Sequence, residues 1–153
     1  MIDGKQCYIV PGVVNENDIK LSIALAVPIL TGEHQDVKLF QTKSGAKRIF
    51  QIADIPIPIG SHDIHNKEDF FDKLTKLIAA NLYINTWIFK IDDEFNGRGH
   101  ASINMIDIKT ISELRKRKVE MTEAITKKLK EVITKTLPKK VKIAQPSLYR
   151  SWD

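Results

Sequence analysis

The sequence predicts an α/β fold, and three observations carry that prediction. Two short apolar runs near the start flank a helical stretch, helical periodicities lie on both sides of a proline-alternating segment, and a lysine-bearing strand returns through a glycine turn. Of 153 residues, 42% are hydrophobic and 28% charged, which suits one soluble domain with its own core or a part of a larger one.

Tyr8, Ile9 and Val10 form a short strand candidate stopped by the turn pair Pro11-Gly12. Asn15 or Asn17 caps a helix that carries Ile19, Leu21, Ile23, Ala24 and Leu25 and runs to Ala26. Val27-Pro28-Ile29-Leu30, closed by Thr31-Gly32, is a second strand candidate and completes a β-α-β order. Helices are expected over residues 35–41 and 44–53, the second with Ile49, Phe50 and Ile52 as apolar contacts.

Proline at alternate positions in Ile55-Pro56-Ile57-Pro58-Ile59-Gly60 forbids a helix and removes ladder donors, so this stretch is expected as an extended edge segment. Asn66 caps the next helix, in which Phe70, Phe71, Leu74, Leu77, Ile78 and Leu82 repeat at helical spacing. Residues 110–136 read as helix with a break near Lys116; Met121, Ile125, Leu129, Val132 and Ile133 share one face, and Pro138 is expected to end it. Residues 141–144 are one more strand candidate, followed by a tail.

The chain is organised around residues 86–105. Trp87, Phe89 and Ile91 point to one side of an extended segment and Ile88 and Lys90 to the other, which predicts a mostly buried strand whose one ammonium needs an anion. Asn96-Gly97-Arg98-Gly99 then makes a tip able to expose backbone N–H groups, before Ala101, Ile103 and Met105 return as a second strand. Loop donors and a lysine can converge on one phosphate. Taken alone, the stretch reads first as an ordinary hairpin with a solvated lysine, because Gly-x-Gly occurs in many hairpins.

The net charge of +5 and pI near 9.3 favour anionic partners, but the basic residues concentrate only between Arg115 and Lys142. That segment has the two faces of a calmodulin target, yet reads first as a helix packed on a sheet with its lysines in water. No aromatic residue interleaves those lysines, which argues against a single-strand-binding platform and ranks nucleic acid last. Asp92, Asp93 and Glu94 read as a solvated turn, and His62, Asp63 and His65 lack a third histidine or cysteine at metal-binding spacing. Cys7 is the only cysteine, so no internal disulfide forms and a reducing, cytoplasmic setting is expected. The first residues lack a leader pattern and no apolar run spans a bilayer, so no membrane segment is expected.

A resemblance sharpens this reading. Gln41-Thr42-Lys43-Ser44-Gly45-Ala46-Lys47-Arg48-Ile49-Phe50, continued by residues 53–60, resembles the opening of an ATP-grasp fold, and residues 26–32 resemble the strand and turn that close the preceding pre-ATP-grasp domain. The resemblance covers residues 8–105. Asp92-Asp93 before the glycine loop looks closest to a eukaryotic group that includes the IQ-motif-containing protein H family, linked to cilia and sperm flagella.

The resemblance implies residues 1–40 as the end of a pre-ATP-grasp-like domain and residues 41–153 as a partial ATP-grasp domain, the first subdomain without the second half. It implies ATP and magnesium as cofactors, with Lys43 reaching the phosphates from a helix start, Lys90 contacting them from the strand, and Asn96, Gly97, Arg98 and Gly99 forming the closing loop. The loop is poorer in glycine than in carboxylase members. No Glu-x-Asn-like magnesium strand follows Met105, and Glu113, Glu120, Glu123 and Glu131 fall on expected helices. The expected function is a scaffold or interaction module of a larger protein, non-catalytic in isolation, with protein partners such as a ciliary axoneme assembly or calmodulin. The alternative is part of an ATP-dependent carboxylate-amine ligase whose metal-binding half lies outside the chain.

Overall fold

The structure, a computed structural model, describes residues 4–117 and 119–145; the tail expected after residue 146 lies outside them. The chain divides into two compact units, Met1–Ile57 and Pro58–Asp153.

In the first unit, the two expected strands reduce to one parallel bridge between Ile9 and Ile29. The Ile9 N–H donates to Pro28 O at 2.8 Å and the Leu30 N–H to Ile9 O at 2.9 Å. Helix α1, Glu16–Leu25, connects them in β-α-β order. Asn15 is its cap: its side chain accepts the Asn17 N–H at 2.9 Å, and Asp18 reaches back to accept the Asn15 N–H at 2.9 Å. Ala26 turns left-handed at φ 50° and stops the helix.

Helices α2, His34–Phe40, and α3, Lys43–Ile52, form the expected pair. Thr42 caps α3 by accepting the Gly45 N–H at 3.0 Å. Gly45 is buried where a Cβ would stand 2.3 Å from Leu39 O and 2.9 Å from the Phe40 Cα, so only a glycine permits this close a turn between the two helices. Residues 55–60 follow without joining the described sheet. Their two prolines remove the donors that a ladder position requires.

The second unit holds a continuous core. Helix α4, Lys67–Ala80, is capped by Asn66, whose side chain accepts the Asp69 N–H at 2.8 Å. Strands β1, Thr86–Lys90, β2, His100–Asn104, and β3, Lys142–Ile143, form an antiparallel sheet in the order β1-β2-β3. A 3-10 turn, Met105–Asp107, leads to α5, Lys109–Arg117, and then α6, Glu123–Lys140. Phe71, Leu74 and Ile78 of α4 meet Trp87, Ile103 and Ile111, with Leu129, Ile133 and Leu137 of α6 completing the cluster. The Phe70 ring lies edge-on to both Phe71 and Phe89 at 5.3 Å between centroids.

Two expectations are corrected. Pro138 does not end its helix; α6 continues to Lys140. Pro138 and Thr134 both face solvent, so water can serve the carbonyl that loses its partner, while buried Leu137 accepts the Val141 N–H at 2.9 Å and anchors the last turn. Strand β1 is half-buried rather than mostly buried: Trp87 is 7% exposed and Ile88 60%. The helices cover only one face of the antiparallel sheet within this unit, leaving Ile88 and Lys90 outside.

Candidate functional site

Register fixes the hairpin. Lys90 lies opposite His100, Ile88 opposite Ser102 and Thr86 opposite Asn104. Lys90 therefore stands at the root of the loop 91–99, which the Ile91 N–H closes by donating to Gly99 O at 2.9 Å. The lysine is exposed, so the buried ammonium expected from the sequence is not found; its head is in water.

The tip is built from left-handed backbone. Asn96, Gly97 and Gly99 have φ of 55°, 74° and 64°. Asparagine and glycine adopt this conformation at least cost, which accounts for the residue types at the turn. The Arg98 N–H donates to Phe95 O at 3.0 Å, and a Cβ on Gly99 would meet the Ile91 side chain at 2.8 Å. The loop root is thus packed against Ile91 while the tip is open. The Arg98 Nε lies 3.3 Å from Glu94 Oε2 and also donates to Phe95 O at 3.4 Å.

Lys43 occupies the first position of α3, directly after the Thr42 cap, and belongs to the first unit. A cleft of about 610 Å³ in that unit is lined by Glu16, Lys20, Gly32 and His34 among others, and includes neither Lys43 nor any hairpin residue.

Several side chains with a clear role carried no local signal. Arg115 donates through Nε to Leu82 O, through one terminal nitrogen to Asn85 Oδ1 at 2.8 Å and through the other to Ile84 O at 2.7 Å. One guanidinium thereby holds the entry into β1. Lys73 donates to Asp63 O and to Asp69 Oδ2, each at 2.9 Å, and fixes the loop before α4; Lys73 as hydrogen-bond donor draws the Asp69 carboxyl below its ordinary pKa. Lys130 on α6 pairs with Asp72 on α4 at 2.5 Å, and this hydrogen bond raises the lysine above its ordinary pKa. Lys140 donates to Asp107 O.

The basic face of α6 is accordingly a mixture of structural and solvated lysines. Its apolar face, Leu129, Ile133 and Leu137, is spent on the core and is not available to a groove-binding partner. Glu113, Glu123 and Glu131 lie on helices as expected, whereas Glu120 lies between α5 and α6. Among the described residues, no three His, Cys, Asp or Glu side chains gather where they could hold a metal ion, and no helix is long and apolar enough to cross a membrane. His62 and Asp63 approach each other at 3.7 Å.

Comparison with known proteins decides the kinship. The family model described as IQCH-like, ATP-grasp matches residues 35–153. The chain belongs to that family. It is 30% identical to the IQ motif-containing protein H of Danio rerio over an alignment 162 positions long, which covers 99% of this chain. The chain spans only 15% of that relative's length, so it corresponds to one part of a longer protein in the family. No solved structure matches it.

Proposed function

We propose that this chain is the phosphate-holding part of an ATP-grasp domain within a longer protein, where it serves as a nucleotide-responsive scaffold rather than a ligase in its own right. Residues 1–40 then close a preceding domain and residues 41–153 open the ATP-grasp part. Membership of an ATP-grasp family supports ATP with magnesium as the ligand.

The observation that carries the reading is the juxtaposition of exposed Lys90 with a loop whose backbone is left-handed at Asn96, Gly97 and Gly99. A flexible ammonium and the backbone of a left-handed turn at one hairpin end fit a polyphosphate. Arg98 adds a guanidinium beside them. The family resemblance makes Lys43, at the start of α3, a separate candidate phosphate contact. Bound magnesium would neutralise phosphate charge.

The family tie also supports a cytoplasmic assembly, ciliary or flagellar, as the setting of the longer protein. The relative is named for an IQ motif, and a calmodulin-type partner is proposed for the longer protein through a segment other than α6.

Isothermal titration of magnesium-ATP into the wild-type chain, Lys43→Ala and Lys90→Ala tests the reading. Each substitution is expected to weaken binding about tenfold, the effect of one lost charge-assisted contact. No binding, or binding indifferent to both changes, overturns it. ATP turnover by the chain alone would overturn the scaffold assignment and favour the ligase.

A further inference from the structure

We propose that Glu94 is an internal stand-in for phosphate: its carboxylate holds Arg98 across the loop tip until a nucleotide oxyanion takes its place. This rests on the reading above, in which the 96–99 loop receives the phosphates. A guanidinium is recognised by carboxylate and phosphate oxygens alike, so the carboxylate that holds it competes with the ligand.

The geometry supports exchange. Arg98 Nε and Glu94 Oε2 are 3.3 Å apart, and the two side chains are 45% and 29% exposed, so an incoming anion can reach the pair. The alternatives for the Arg98 Nε are weak, a donation to Phe95 O at 3.4 Å. The loop root does not have to open. Gly99 is seated against Ile91, where a Cβ would approach to 2.8 Å, and the Ile91 N–H holds Gly99 O at 2.9 Å. Only the arginine side chain has to swing, over a tip where Asn96 and Gly97 already carry the left-handed backbone.

An exposed pair of this kind biases an equilibrium by about two- to fivefold. Whatever fraction of the loop holds Arg98 on Glu94 reduces apparent phosphate affinity in proportion. A general effect of the acidic run is separable from the latch, because Asp93 precedes Glu94 in the same run and repels the same anion through its charge alone.

Magnesium-ATP and inorganic triphosphate are titrated into the wild-type chain, Glu94→Gln, Asp93→Asn, Arg98→Ala, the Glu94→Gln/Arg98→Ala double variant and Lys90→Ala, with circular dichroism confirming the fold of each. Glu94→Gln is expected to tighten binding about two- to fivefold, more than Asp93→Asn, and to have no effect once Arg98 is alanine. A gain that persists without Arg98, or that Asp93→Asn reproduces in full, overturns the latch and assigns the effect to the field of the acidic run. Binding that depends on Lys90 but ignores Glu94 overturns the latch alone. Absence of binding in every variant overturns both it and the reading on which it rests.

Discussion

Replacing Arg115 with alanine should unlatch the entrance to β1. The guanidinium serves three acceptors on residues 82–85, two of them main-chain carbonyls, and Asn85 O in turn accepts the Met105 N–H at 2.7 Å. Hydrogen bonds from a charged donor contribute about 1.5–3 kcal/mol each, and three fully dry ones would rival the whole stability of a marginal domain. Arg115 and its acceptors are partly exposed, so water replaces some of what is lost. The expected cost is about 2–4 kcal/mol, larger than a surface substitution and comparable with a core cavity. Urea unfolding followed by far-ultraviolet circular dichroism measures it as a lower midpoint at unchanged slope. Arg115→Lys keeps the charge but loses the fork and should recover less than half of the deficit. An alanine variant within about 0.5 kcal/mol of wild type would refute the view that this side chain organises the hairpin.

Two further outcomes follow from buried and charged groups. Thr75 is 1% exposed and its hydroxyl has no hydrogen-bond partner, so Thr75→Val should stabilise the chain by about 1 kcal/mol, read as a melting temperature higher by roughly 2–4 °C. Asp69 is held below its ordinary pKa by its bond to Lys73, so its contribution is fully present above the unfolded carboxylate pKa and is lost as pH falls through the folded value; the melting difference between wild type and Asp69→Asn should be present at about pH 6 and fade as the pH falls below the ordinary carboxylate range.

Local chemistry made much of the fold legible. Asn15 and Asn66 announce their helices because a cap needs only its own side chain and the next turn, and the β1–β2 return is readable because glycine and asparagine mark left-handed turns. Lys90 at the loop root follows from the same reading, since strand, turn and strand are contiguous in sequence. Its exposure does not, because which faces of a sheet are covered depends on helices far along the chain. Arg115 was hidden for the same reason: its acceptors lie thirty or more residues away, and within its own stretch it is one basic residue among several. Pro138 misled because a helix breaker is judged by rule, whereas here the side of the helix decides.

Gly45 gives Lys43 an unexpected dependence. The place of that amine is set by a missing carbon two residues downstream, where the helix-to-helix corner leaves no room for even a methyl group. A variant at Gly45 would therefore shift a charge that it never touches, and a ligand lost in such a variant reports displaced architecture rather than altered chemistry. Inherited or engineered changes at this corner belong with those at Lys43 itself when their consequences are sorted.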